Sequence, residues 1–151
     1  MYNCEVEFRS GAATRDDIAA HLAECDMDFI PPLHTYLDLQ QYSEKLGRNA
    51  TTFEAWTGGR LVGLVAIYLN DSAQAMGFIS SVSVARSFSG LGIAARLIRD
   101  SLGFAREKGF RAASLEVAPH NGAAIRLYEG LGFTRAETNQ RGWIVMRLSL
   151  A

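Results

Sequence analysis

The segment Ser89-Gly90-Leu91-Gly92-Ile93-Ala94 follows an apolar stretch ending at Val84 and leads into a helical pattern. That arrangement suits an anion. Backbone N–H groups at a helix start have no intrahelical partners, and the helix dipole is positive there. Glycine lets a diphosphate approach the backbone with no Cβ in the way. The loop is thus a candidate pyrophosphate cradle, although glycines at a plain helix cap would look the same. A Walker A loop needs Gly-Lys and then Ser or Thr, which the segment lacks. Gly90-Leu91-Gly92-Ile93-Ala94-Ala95 fits the loose dinucleotide pattern ending in Ala. That fingerprint, however, follows its strand directly and opens a βαβ unit. Here Ala85 to Ser89 intervene. On these residues alone, dinucleotide and coenzyme A both stay open. The other chemistry-bearing groups are a carboxylate, Glu116, within an apolar segment, the serines Ser80, Ser81 and Ser83, and His120 after Pro119.

The elements that must position these groups follow from the pattern. Glu5 to Arg9 alternates as a half-buried strand does. Thr14 with Asp17 predicts a helix start of the capping-box type, running to about Ala23. Pro31-Pro32 predicts the opening of a second helix, with Leu33, Tyr36, Leu37 and Leu46 as its apolar side and Gly47 as its end. Strands are expected at Thr51 to Thr57 and Arg60 to Leu69, joined by a Gly58-Gly59 hairpin. The second is almost continuously apolar, which predicts a central strand covered on both faces. A turn at Asn70-Asp71-Ser72 and a strand from Met76 to Val84 complete an antiparallel meander. A helix from about Gly92 to Lys108 follows, with Ile93, Leu97, Ile98, Leu102 and Ala105 at helical spacing. Ala113 to Ala118 reads as a strand stopped by Pro119. Asn121 can cap a helix carrying Ala124, Leu127, Tyr128 and Leu131, and two strands end the chain, around Phe133 and from about Trp143 to Leu148. Strand, helix, strand in this half calls for a parallel pairing with a right-handed crossover. The expected class is mixed α/β (α+β).

The 151 residues suit one domain, expected over 1-151, and a net charge of -1 offers no basic footprint for nucleic acid. There is no polybasic segment for an anionic membrane, and the longest apolar run, Leu61 to Leu69, is too short to cross one. The acidic residues among Met1 to Glu7 do not suit a signal peptide, so a cytoplasmic protein is expected. Two cysteines, Cys4 and Cys25, make no disulfide framework. With His21, His34 and His120 they show no metal-ligand spacing, so each reads as a surface or packed residue and no metal is expected.

Val82-Ser83-Val84 followed by Ser89-Gly90-Leu91-Gly92-Ile93-Ala94 resembles the main cofactor motif of the GNAT acetyltransferase superfamily. That motif runs Arg or Gln, two residues, Gly, one residue, Gly or Ala; this chain has Ser89 at its first position. Leu115-Glu116-Val117, Asn121, Ala124, Leu127-Tyr128-Glu129 and Leu131-Gly132-Phe133 resemble the second GNAT motif, in the expected order. The resemblance covers about Met76 to Phe133. It implies a GNAT-like, mostly antiparallel sheet with helices on both faces and a splayed central strand pair, with acetyl-CoA as cosubstrate in the gap. It implies that pantetheine pairs with backbone near Val82 and Val84, as an added strand would. The pyrophosphate falls to backbone N–H groups from Gly90 to Ala94. The resemblance gives Asn121 a cofactor contact besides its cap, and makes Tyr128 the group that returns a proton to the thiolate.

An alkylammonium must lose a proton before it attacks, its ordinary pKa being about 10. Glu116 lies twelve residues before Tyr128, similar to the spacing in ribosomal-protein N-terminal acetyltransferases, and is a candidate base. A water on Ser80, Ser81 or Ser83, or His120, are the alternatives. A backbone N–H near Val84 can meet the oxyanion, and Arg86 could add charge at the loop. The resemblance puts the acceptor between roughly Asp26 to Arg48 and Arg135 to Trp143, where Asp26, Asp28 and Asp38, with Glu54 on the neighbouring strand, could attract a cation but read more simply as solvated carboxylates. The expected partner is a small-molecule or peptide amine, with no nucleic acid and no membrane. The protein is expected as monomer or homodimer, the last strand being free to pair across a dimer. A non-catalytic acyl-CoA sensor on the same fold, or a nucleotide-dependent enzyme built on the glycine loop alone, are the competing readings.

Overall fold

The computed structural model describes residues 5–70, 73 and 75–151. Cys4, with the three residues before it, and Asp71 and Ser72 of the expected turn lie outside the described residues. Seven strands form one sheet in the order β1-β2-β3-β4-β5-β7-β6. The first four, β1 (Glu7–Ser10), β2 (Thr51–Thr57), β3 (Arg60–Tyr68) and β4 (Met76–Val84), make the expected antiparallel meander. Then come β5 (Ala112–Val117), β6 (Thr134–Thr138) and β7 (Ile144–Ser149). β4 and β5 are parallel and pair at just three positions, Met76 with Ala112, Gly77 with Ala113 and Phe78 with Ser114. Where that ladder ends, β4 carries a bulge: Ile67 faces Ile79 and Ala66 faces Ser81, so Ser80 is the extra residue. A bulge bends its strand and increases the local twist, which turns the far half of β4 away from β5.

Two apolar clusters flank the sheet. On one side Ile18 and Leu22 of α1 (Arg15–Cys25) and Leu46 of α2 (Leu39–Asn49) pack on Trp56, Leu61, Leu64 and Ala66. On the other, Ile93, Leu97 and Ile98 of α3 (Ile93–Glu107) and Ile125 and Tyr128 of α4 (Gly122–Gly130) pack on Val62, Val65, Ile67 and Leu115. β3 feeds both clusters, as its unbroken apolar run predicts. Gly63 sits where α3 crosses β3; a Cβ there would stand 2.9 Å from Ile93 and 3.3 Å from Leu97. Its missing side chain lets the start of α3 lie close to the sheet.

Three expectations about the elements need correction. Pro31-Pro32 does not open the second helix. A single 3₁₀ turn, Leu33–Thr35, follows instead, and α2 begins after Asp38, whose side chain accepts from Gln41 N–H at 3.0 Å. Gly47 lies inside α2, packed near Arg15 and Ile18 of α1, and the helix runs on to Asn49. The last strand is not an edge: β7 is paired on both sides, by β5 and by β6, so β6 and β1 are the outer strands.

Glu54 is not a solvated carboxylate either, being fully buried on β2. It accepts from Ala12 N–H, Ala13 N–H, Thr52 Oγ1 at 2.6 Å and Trp56 Nε1 at 2.9 Å. These bonds tie the chain between β1 and α1 to the sheet. Replacing Glu54 with Ala should lower stability by about 3 kcal/mol or more, because several buried donors lose their acceptor together. Urea unfolding checks this, and a loss below about 1 kcal/mol would mean the donors find other partners.

Candidate active site

The start of α3 has free N–H groups and no side-chain cap, features that suit an anion. Gly90 and Gly92 have φ of 76° and 78°, left-handed values that glycine adopts without strain. Gly92 is the N-cap, and no side chain caps the helix. The first helical bond, Arg96 N–H to Gly92 C=O at 3.0 Å, leaves the N–H groups of Ile93, Ala94 and Ala95 ahead of it without helical acceptors. Ser89 turns its hydroxyl back to Arg86 C=O at 2.7 Å, so it offers the loop no long side chain. Arg86, in the turn before the loop, pairs with Asp28.

A cavity of about 720 Å³ opens between the parted strands. Its lining includes Ser89, Gly90 and Ala94 of the loop and the α3 start, Asn121 and Tyr128 on the α4 side, and Val82, Val84 and Glu116 of the two strands. Leu91 is two-thirds exposed and Ile93 is buried in the core, so of these two only the backbone can serve a ligand. The backbone of β4 is available in a specific way. Ala85 N–H donates to Val62 C=O at 2.7 Å, and hydrogen-bonded pairs alternate along an antiparallel ladder. Ser83 and Ser81, opposite Leu64 and Ala66, therefore turn their backbone groups to β3. Val82 and Val84 turn theirs toward β5, in the stretch where β5 no longer pairs.

Asn121 caps α4, its side chain accepting from Ala124 N–H at 3.3 Å. Tyr128 is 8% exposed and stacks edge-on against Phe133. Burial pushes its phenol up to about 12, so it is protonated at neutral pH. Glu116 accepts from Arg141 at 3.2 Å. Arg141 in turn lies over the rings of Trp143, at 4.1 Å, and Tyr36, at 5.6 Å, and those two rings meet edge to face. The β6–β7 hairpin and the segment before α2 are thus clasped across the cavity mouth. His120 is exposed and stands outside the cavity lining.

Of the acidic residues near the acceptor side, Asp26 receives His34 Nδ1 at 2.6 Å, Asp28 holds Arg86, and Asp38 caps α2. Ser80 is hydrogen-bonded to the Tyr42 hydroxyl at 2.6 Å, and burial pushes that phenol up to about 12 against the opposing effect of the Ser80 contact. Ser81 Oγ is buried without a partner among the described residues. The Ser83 hydroxyl meets His21 Nε2 at 2.9 Å. Sequence reasoning did not assign His21 to the site, and it placed Arg141 and Trp143 only within the acceptor segment Arg135 to Trp143, with no contact for either. Their partners lie 25 to 107 residues away, and no local spacing marks such contacts.

The Acetyltransferase (GNAT) family pattern matches residues 16–133. The chain belongs to that family. The probable N-acetyltransferase camello of Xenopus tropicalis is 34% identical over 100 residues, 66% of this chain and 45% of that protein. The chain therefore spans less than half the length of this curated relative. Among solved structures, the ribosomal-protein-S18-alanine N-acetyltransferase of Escherichia coli superposes with a TM-score of 0.75 at 20% identity, covering 97% of this chain and 95% of that one. The PaiA N-acetyltransferase of Thermoplasma acidophilum, solved with coenzyme A, gives 0.71 at 14% identity, covering 96% and 99%. At those identities the likeness is one of fold. GNAT acetyltransferases use acetyl-CoA, and the free backbone of Val82, Val84 and the α3 start has the donors that such a ligand requires.

Replacing Gly92 with Ala should weaken coenzyme A binding about tenfold. The left-handed conformation costs a residue with a Cβ roughly 1–2 kcal/mol, and relaxing it misaligns the N–H groups behind it. Isothermal titration calorimetry with coenzyme A measures this; an unchanged Kd would remove the loop from the binding surface.

Proposed function

We propose that this chain is an acetyl-CoA-dependent N-acetyltransferase acting on a primary amine by direct attack in a ternary complex. The observation that carries the reading is the gap between β4 and β5, which leads from the free backbone of Val82 and Val84 to the uncapped start of α3. Two chemically different surfaces meet there. One offers strand hydrogen bonds to an amide-bearing arm, and the other offers N–H donors to a diphosphate. Ser89, Gly90, Leu91, Gly92, Ile93 and Ala94 then serve mainly through main-chain groups, with Asn121 at the opposite wall. The curated relative's designation as an N-acetyltransferase supports an amine as acceptor.

In this reading the amine enters past the Tyr36, Arg141 and Trp143 clasp and is deprotonated before attack. Glu116, which lines the cavity beside Arg141, is the assigned base, acting directly or through a water. A β4 backbone N–H, at Val82 or Val84, stabilises negative charge on the acyl oxygen. Tyr128 faces the leaving sulfur. With a phenol near 12, against about 8.5 for an ordinary thiol, full proton transfer to the thiolate runs uphill. Tyr128 therefore works first as a hydrogen-bond donor that strengthens as charge builds on sulfur, which is when stabilisation raises kcat.

Two measurements test this. Saturating acetyl-CoA should raise the melting temperature, since a ligand at 100 times its Kd stabilises the native state by about 2.7 kcal/mol. CoA release should follow when primary amines are added. Binding without release from any amine class would favour an acyl-CoA sensor instead. Tyr128→Phe should lower kcat about a hundredfold while acetyl-CoA binds within about twofold of the original affinity. An unchanged kcat in single-turnover kinetics would reduce Tyr128 to a packing residue.

A further inference from the structure

We propose that Ser83 receives the acceptor amine and that His21 acts through it, holding the Ser83 proton so that only oxygen lone pairs face the cavity. This role rests on the acetyltransferase reading above. His21 projects from α1 to the sheet and is 2% exposed. Its Nδ1 stands 3.2 Å from the Leu61 carbonyl oxygen. A carbonyl can only accept, so in the neutral ring Nδ1 carries the proton and Nε2 carries a lone pair. Ser83 Oγ, 2.9 Å from Nε2, must then donate to it.

The surroundings keep the ring neutral. Burial pushes His21 below its ordinary 6.5. The two charged groups that act on it, Glu24 of α1 and Arg60 of β3, pull in opposite directions and are paired with each other. The Cys25 thiol lies 3.8 Å from Nε2, and burial pushes it up to about 12, so it too is neutral. On β4 the facing group is Ser83 itself.

A hydroxyl whose proton is committed presents only acceptor lone pairs. Ser83 lines the cavity between Val82 and Val84, the two residues whose backbone faces the gap. An amine N–H fits that oxygen, whereas a carbonyl or carboxylate oxygen meets a second acceptor. The contact also favours the reaction. As nitrogen bonds to the acyl carbon it becomes cationic, its N–H bonds become stronger donors, and the hydrogen bond to Ser83 tightens. Protonation of His21 reverses the arrangement. Nε2 then donates to Ser83 Oγ, the Ser83 proton must turn elsewhere, and an added positive charge lies behind the amine site. The acceptor step should therefore weaken as pH falls through the His21 pKa, which lies below 6.5, and hold above it.

The test combines ring spectroscopy with kinetics. In protein labelled with ¹⁵N at histidine, His21 at pH 7 should show a protonated Nδ1 and an unprotonated Nε2. A protonated Nε2 overturns the proposal. With acetyl-CoA and a series of primary amines from n-butylamine to benzylamine, Ser83→Ala should lower kcat/KM for the amine about tenfold. The acetyl-CoA Kd, read by calorimetry, should not change. His21→Gln should have a similar effect and lose the acid limb below pH 6.5. The double variant should be no worse than Ser83→Ala, because the two groups act as one unit. Additive losses, or a Ser83→Ala enzyme with unaltered amine kinetics, overturn the positioning role, and Ser83→Ala decides the matter even if His21→Gln fails to fold. Absence of CoA release by the unaltered protein with every amine sinks the acetyltransferase reading itself and this role with it, an outcome distinct from normal release with silent variants.

Discussion

Everything at this site depends on how soon β4 and β5 stop pairing. Three residue pairs hold the parallel ladder. The Ser80 bulge then swings the rest of β4 out of register with β5. An unpaired backbone N–H or C=O in a protein interior is costly, so a sheet parted at its centre creates a demand for hydrogen bonds. Val82 and Val84 carry that demand on one edge, while α4, entered through the Asn121 cap, covers the other. A ligand with alternating amide groups meets the demand as a strand would. The bulge does a second thing. It shifts the serines after it so that Ser81 and Ser83 face α1 and α2 while Val82 and Val84 face α3, giving one strand a polar wall and an apolar wall at the same depth.

The helices fix where that ligand must end. Gly63 lets α3 settle close on β3, and Gly90 and Gly92 turn the chain so that the helix opens toward the gap. Since no side chain caps α3, its N–H groups and its dipole point at whatever occupies the loop. In the proposed function the main-chain donors therefore take the place of a long side chain at Ser89, since the nearby Arg86 is engaged by Asp28.

Local signals in the sequence were readable wherever a short-range rule sets the structure. The β3 run, the Gly58-Gly59 hairpin, the Thr14 and Asp17 capping box and the Asn121 cap each depend on residues within a few positions of one another, and each formed. The glycine loop could be placed but not interpreted, because its conformation is local while its ligand is a property of the gap. Pro31-Pro32 misled because a helix start needs a cap as well as a fixed φ, and Asp38 supplied the cap seven residues later. Glu54 misled for a different reason. An acidic residue reads as solvated unless its donors can be foreseen, and two of those donors, Ala12 and Ala13, belong to a segment some forty residues away. Still longer separations hid His21 behind Ser83 and the contact of Trp143 with Tyr36.

The electrostatics of the acceptor side then decide what can select a substrate. Two carboxylates line the cavity, Asp28 and Glu116, and each faces an arginine, Arg86 and Arg141. Asp26 is engaged by His34, and Asp38 by the start of α2. The remaining acceptor wall is apolar and aromatic, with Phe29, Leu33, Tyr36 and Trp143. With a net charge of only -1 on the whole chain, long-range steering of a cation is weak. Discrimination must therefore arise at contact distance. It rests on whether a ligand can pass the Tyr36 and Trp143 clasp, fit an apolar wall, and present an N–H to a hydroxyl that can only accept. An acceptor-only hydroxyl binds an ammonium at least as readily as a neutral amine, so in the proposed reaction the uncharged, reactive form is secured by the base that removes the proton and not by Ser83.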